Sequence, residues 1–157
     1  MIRFPSEEWF LALKASADRD PDRYRRLGTI DLVLVVKIDY PVGSECYEIT
    51  FSSYRCTGVR LINQPKDAHA GAAVLEGPIE VWRDMIRSIE RNGKAELAYT
   101  LNTLTLADFP MRVTAANQLD LDAFYRFQET LQEFFDEASA FRTVFAEEEV
   151  ASPLAPG

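Results

Sequence analysis

The chain has 157 residues, 47% of them apolar and 27% charged, with a net charge of −8 at pH 7, which gives one globular domain room to bury a core or enclose a small cavity. That acidity argues against general nucleic-acid binding, which needs clustered Lys and Arg to neutralise phosphates. The opening residues Met-Ile-Arg-Phe-Pro-Ser-Glu-Glu lack the apolar stretch of a targeting signal, and the longest aliphatic run, Leu32 to Val36, is too short to span a bilayer. A soluble, cytoplasmic protein without integral membrane association is expected.

In chain order, Ser6 is placed as an N-cap, with Glu7 and Glu8 in the favourable first turn and Trp9, Phe10, Leu13 and Ala17 facing inward, so a helix is predicted over 7–17. Asp20-Pro21 caps a second, short helix, which Leu27-Gly28 closes. The connector interleaves Arg19, Arg23, Arg25 and Arg26 with Asp18, Asp20 and Asp22: a largely self-neutralised surface, or a patch for an anionic head group or acidic partner. Ile30, Leu32, Leu34, Val36, Ile38 and Tyr40 alternate with more polar positions and predict a long strand with one buried face. Arms from Tyr47 to Phe51 and from Cys56 to Asn63 follow through short turns, giving an antiparallel meander. Cys46 should sit opposite about Leu61 and Cys56 opposite about Phe51, too far apart to bridge, which predicts two reduced, buried thiols.

Ala72 to Glu76 reads as a fourth short strand, and Gly77-Pro78 begins a helix with the face Ile79, Trp82, Met85, Ile86 and Ile89, stopped by Asn92-Gly93. Leu97 to Leu106 and Phe109 to Thr114 read as further strands around a kink at Asp108 to Pro110. Six of the ten phenylalanines then fall within 124–145. Phe124, Phe127, Leu131, Phe134, Ala138, Phe141 and Phe145 recur at steps of three and four, widened by Phe135, and predict one amphipathic helix capped by Asp120 with Asp122 behind it. Burying a Phe is worth roughly 1.5–3 kcal/mol, so this stripe must cover a sheet, a partner or an apolar ligand. The order of elements predicts an α+β fold, an antiparallel sheet with helices packed chiefly on one face, in one domain over 1–145. The tail over 146–157, with its glutamates and prolines, has a disordered composition.

Catalytic signatures are sparse. His69 is the one histidine, so any Ser-His, Cys-His or His-metal site must pass through it, and in its Ala- and Gly-rich loop an exposed or backbone-bonded ring is expected. No zinc or calcium spacing and no phosphate-cradling glycine motif occurs in the sequence, and no cofactor, metal or catalytic residue is expected. Carboxylate pairs such as Asp31 with Asp39, or Glu133 with Asp136 and Glu137, are expected on the surface, where their pKa values stay ordinary.

Several local patterns resemble the sterol carrier protein 2 (SCP2-like) lipid-binding family. Ser6-Glu7-Glu8-Trp9 is similar to its opening helix, Cys46-Tyr47-Glu48-Ile49-Thr50-Phe51 through Thr57-Gly58-Val59 to its central hairpin, and Asp67-Ala68 through Leu75-Glu76-Gly77, followed by Trp82, to its strand feeding a helix through a glycine. The resemblance covers most of 1–141. It implies a five-stranded antiparallel or mixed sheet covered by helices, an apolar tunnel for sterols, fatty acids or acyl chains, and no catalysis. This chain departs from the family in the Thr- and Leu-rich stretch after the second main helix, where a Gly-rich strand pair is usual, and in its Phe-dense end. The expected lining is Trp82, Met85, Ile86, Ile89, Phe124, Phe127, Leu131 and Phe134. A second reading uses the Phe stripe to form a homodimer or dock on another protein.

Overall fold

Local signals set the first elements. The computed structural model describes residues 1–146. Ser6 stands at the N-cap, its hydroxyl accepting from the Trp9 amide at 3.0 Å, and α1 (Glu7–Ala17) buries Trp9, Phe10, Leu13 and Ala17. Asp20 caps α2 (Pro21–Leu27), and Gly28 leaves it at φ 97°, a conformation open chiefly to glycine. Ahead of α1 lies β1 (Ile2–Phe4), too short to leave a periodic signal.

β2 (Leu32–Asp39), β3 (Ser44–Ser52) and β4 (Arg55–Ile62) form the expected antiparallel meander. Phe51 faces Cys56 as predicted, but Cys46 faces Ile62 rather than Leu61, because a register shift at Thr50/Phe51 moves the pairing by one residue. β5 (Ala72–Pro78) returns parallel to β2, and β6 (Arg112–Ala115) closes the other edge antiparallel to β5. The result is a mixed five-stranded sheet of order β4-β3-β2-β5-β6 in an α+β fold. β2 lies at its centre, and its inward residues Leu32, Leu34, Val36 and Ile38 are all buried under the helices.

From β5 the chain passes into α3 (Ile79–Asn92), which buries the predicted face and ends at Gly93, φ 79°. Residues 97–106 are helical rather than extended: a 3₁₀ turn over Leu97–Tyr99 leads into α4 (Leu101–Leu104). Thr100 caps α4 by accepting from the Thr103 amide, and Leu101 and Leu104 turn into the core one helical turn apart, so packing outweighs the Thr-rich strand propensity. The predicted strand over 109–114 is realised only at β6.

The Phe-rich stretch is not one helix. Asn117, not Asp120, provides the cap, and its side chain accepts from the Asp120 amide at 2.9 Å. α5 (Gln118–Arg126) ends at Phe127, α6 (Gln128–Asp136) begins there, and a 3₁₀ turn over Glu137–Ala140 leads into β7 (Thr143–Phe145). The break at Phe127 lets Phe124 and the Leu131–Phe134–Phe135 group both reach the curved core, while Phe127 stays half-buried. Phe145 belongs to a strand because β1 offers a pairing edge: β1 and β7 form a parallel two-stranded sheet, and the Trp9 indole donates to the buried Thr143 hydroxyl at 3.0 Å. The stretch expected to be disordered lies, beyond residue 146, outside the described residues. No helix among the described residues is long and apolar enough to cross a membrane.

The face of the sheet away from the helices is mixed. Val35, Cys46 and Ile62 form a small apolar cluster there, with Ala68, Ala72 and Val74. Beside it Glu48 is 2% exposed. Its carboxylate accepts from Arg60 Nε at 2.6 Å and from the His69 amide at 2.6 Å, and His69 Nδ1 lies 3.0 Å away. The loop after β4 is thereby pinned over this face. Burial alone would raise the Glu48 pKa, but the Arg60 guanidinium and the amide and ring of His69 outweigh it and hold it at about 2. Because the folded value lies below the unfolded one, this stabilisation is complete above about pH 5 and is lost as pH falls toward 2. Glu48→Gln should remove about 2–3 kcal/mol at pH 7, with the difference from wild type shrinking below pH 5 in urea titrations at stepped pH.

Candidate functional site

Where α1 gives way to α2, the helical layer stands off the sheet and leaves a cavity of about 260 Å³. Its walls are the end of α1 (Ala17, Asp18), α2 (Pro21, Tyr24, Arg25), the tip of the β3–β4 hairpin (Phe51, Tyr54, Arg55, Cys56) and α6 (Thr130, Phe134). Phe51 and Phe134 meet edge to face at 5.2 Å and, with Ala17 and Cys56, give it an apolar interior. The mouth is charged. Arg25 lies over the Tyr54 ring at 4.8 Å and donates to the Tyr54 hydroxyl at 2.9 Å and to Asp22 at 3.0 Å. Arg55 approaches Asp18 at 3.6 Å, and Asp18 also holds Lys14 at 2.8 Å. Both arginine side chains are more than half exposed, so their charge is open to an anion at the entrance.

The wall is held by a carboxylate. Glu137, 8% exposed, accepts from Ser16 Oγ at 2.7 Å and Tyr24 Oη at 2.6 Å, with Arg23 Nη1 at 3.5 Å. This corrects the expected surface position of Glu137. Asp136 is also drawn inward, onto the Ala95 amide at 3.1 Å and Gln132 Nε2 at 2.9 Å, and burial raises its pKa. Burial, then the Glu137 carboxylate, push the Tyr24 phenol far above its ordinary range, so it stays protonated and donates to Glu137. On the opposite face of the sheet Asp39 is raised to about 6 by burial and by the Glu76 carboxyl beside it, again unlike the ordinary surface pKa expected.

Of the eight residues expected to line a ligand site, Phe134 borders this cavity. Trp82, Met85, Ile86, Ile89, Phe124 and Leu131 lie in the packed core between sheet and helices, each 0% exposed, and Phe127 is at the α5–α6 junction. Trp82 donates its indole N–H to the Gly77 carbonyl at 3.1 Å. Phe124, Phe134, Phe135 and Phe145 are turned into the fold, so no continuous Phe stripe faces outward. Of the remaining cavity residues, Ala17 and Cys56 were expected buried and Asp18 and Arg25 belong to the interleaved charges read as either a self-neutralised surface or a head-group patch, but no local signal marked them as lining one cavity.

Nucleophile and base are not brought together here. Cys56 faces the cavity side, where burial pushes its thiol up to about 11, while His69 pairs with Glu48 across the sheet. Cys46 lies on that far face too, so both cysteines are buried, free and separated by the sheet. Among the described residues no group of three or more His, Cys, Asp or Glu is placed to hold a metal ion.

No family model matches the chain, and no curated relative does. Its fold is shared with a conserved hypothetical protein from Thermus thermophilus, suggested to be a sterol carrier protein. The two superpose with a TM-score of 0.57 over 88% of this chain and 90% of that one, at 12% identity. At that identity the likeness is one of fold.

The packing differences among the three phenylalanines are measurable. Phe124→Ala, in solid core, should cost about 3–5 kcal/mol. Phe134→Ala should cost less, about 2–3 kcal/mol, because open space already adjoins its ring. Phe127→Ala should cost about 1 kcal/mol. Urea denaturation checks the order.

Proposed function

We propose that this chain is a non-enzymatic, cytoplasmic carrier or binding protein of the SCP2-like group for a lipid-like apolar ligand such as a sterol, fatty acid or acyl chain. The observation that carries the reading is the cavity between sheet and helices, with Phe51, Phe134 and Ala17 inside and Arg25 and Arg55 at its mouth. A ligand with an apolar body and a polar end fits that polarity: the body is desolvated between aromatic rings, and the end remains in reach of exposed guanidinium groups. The fold shared with a suggested sterol carrier protein supports the same reading. At about 260 Å³ the cavity is at the small end of ligand sites, which run from about 300 Å³ upward. A longer chain therefore threads past Phe134 toward Leu131, Phe124, Phe127 and the α3 face of Trp82, Met85, Ile86 and Ile89, displacing core contacts as it goes.

Native mass spectrometry of the purified protein should show lipid bound to a monomer, and a fluorescent fatty acid should bind in titration. Ala17→Phe, which fills the cavity beneath α2, should weaken that binding at least tenfold while the circular dichroism spectrum is retained. Undiminished probe affinity in a folded Ala17→Phe variant, or no bound probe in wild type, overturns the reading.

His69→Ala should leave probe binding unchanged, since the ring lies across the sheet, and should shift stability by less than about 1 kcal/mol because the His69 amide still reaches Glu48. A binding loss beyond tenfold would place the site on the other face.

A further inference from the structure

α3 and the turn that leads into β7 lie side by side, and between them the surface is hollowed into an open cleft of about 510 Å³. One wall is the last part of α3, with Arg87, Glu90 and Arg91; the other is the connector Ser139–Arg142, in which Phe141 is half-buried. Three arginines and a single glutamate thus line this cleft, in a protein whose net charge is −8. The glutamate is already occupied: Glu90 accepts from Arg87 Nη1 at 2.7 Å and from the Thr143 amide at 3.1 Å. Arg87 also donates to the Thr143 carbonyl at 3.3 Å and lies over the Phe145 ring at 4.7 Å, so it belongs to the frame that holds β7 on α3. The positive charge that remains is that of Arg91 and Arg142. Arg91 and Glu96, both side chains more than half exposed, stand 3.7 Å apart, and the same Glu96 oxygen accepts from Asn92 at 2.8 Å. A pair so open to water is weak and yields to a better acceptor. Arg142 makes no ion pair among the described residues; its side chain is exposed, while its carbonyl accepts from the Ile2 amide at 2.8 Å and ties the backbone there to β1. The Ser139 hydroxyl is likewise exposed and has no protein partner among the described residues.

We propose that this cleft binds a phosphate monoester, its dianion held between Arg91 and Arg142, with the Ser139 hydroxyl donating to a further oxygen. Guanidinium forks match phosphate oxygens two at a time. Two of them balance the charge of about −1.5 to −2 that a phosphate monoester carries at pH 7, whereas a carboxylate or a sulfate ester brings a single charge and leaves one arginine uncompensated. The Phe141 ring, held edge to face by Trp9 at 6.0 Å, gives the organic part beside the phosphate an apolar surface. The cleft shares no lining residue with the cavity at the β3–β4 hairpin, so the proposal is independent of the carrier reading.

The test uses the whole 157-residue chain, with phenyl phosphate as the soluble probe and phenyl sulfate as its singly charged counterpart. In ¹H–¹⁵N spectra phenyl phosphate should shift the Ser139 to Arg142 amides saturably, and phenyl sulfate should bind about fivefold more weakly. Arg142→Gln and Arg91→Gln should each weaken phenyl phosphate about fivefold with the circular dichroism spectrum retained. Both side chains are exposed, and either variant alone suffices should the other not fold. Sedimentation with phosphatidylcholine vesicles containing phosphatidic acid separates the sources of the phosphate. A lipid-borne phosphate pellets the wild type but not Arg142→Gln, and a soluble ester gives the spectral shifts without pelleting; either result upholds the site. Shifts or pelleting that survive both substitutions, equal affinity for phenyl sulfate, or no response to phenyl phosphate and vesicles alike overturn it.

Discussion

A carboxylate taken out of water must be met by donors, and Glu137 is met by Ser16 from α1 and by Tyr24 and Arg23 from α2. An uncompensated buried charge costs several kcal/mol, so the three donors cannot drift from it independently. The position of α2 relative to α1 and to the turn after α6 follows from that requirement. Apolar packing alone would not set it, because α2 buries only Tyr24. With α2 held by its polar contacts, the space between it and the β3–β4 hairpin stays open.

The sheet separates two chemistries. On the helix side β2 and its neighbours meet a continuous apolar core, broken by the cavity at the hairpin tip. On the other side Glu48 ties Arg60 to the loop carrying His69, and Glu76 lies between Lys37 at 3.4 Å and Arg112 at 3.9 Å. The alternation of β3 delivers both: Ile49 and Phe51 turn to the helices while Cys46 and Glu48 turn away. Cavity and clamp thus share a strand on opposite faces of the sheet.

The elements legible in the sequence were those whose signals are local. Ser6 and Asp20 mark helix starts by backbone capping, Gly93 marks a stop by its positive φ, and the period of two from Ile30 to Tyr40 needs no partner to be read. The α+β class and the helical cover were legible through the order of such elements, but the parallel return of β5 beside β2, which makes the sheet mixed, was not. What failed had its cause far away in the chain. Phe145 is a strand residue because Ile2 to Phe4 lie beside it, and no periodicity within 124–145 contains that fact. Leu97 to Leu106 has strand composition but yields to two leucines that the core needs one turn apart. The cavity was the least legible feature, since empty space is a property of how α2, α6 and a hairpin tip are held apart; of the eight residues expected to line a site, Phe134 meets it.

The pairing of β1 with β7 also gives the chain a history. Trp9 bonds a hydroxyl 134 positions away, and Phe4 completes its aromatic contacts only when Phe145 arrives. At roughly 5–20 residues per second of synthesis, the interval between their appearances is about 7–27 s. During it β1 offers Phe4, and α1 offers Trp9 and Phe10, to whatever is near. The first aromatic cluster of the nascent chain therefore stays open until synthesis has passed Thr143 and Phe145.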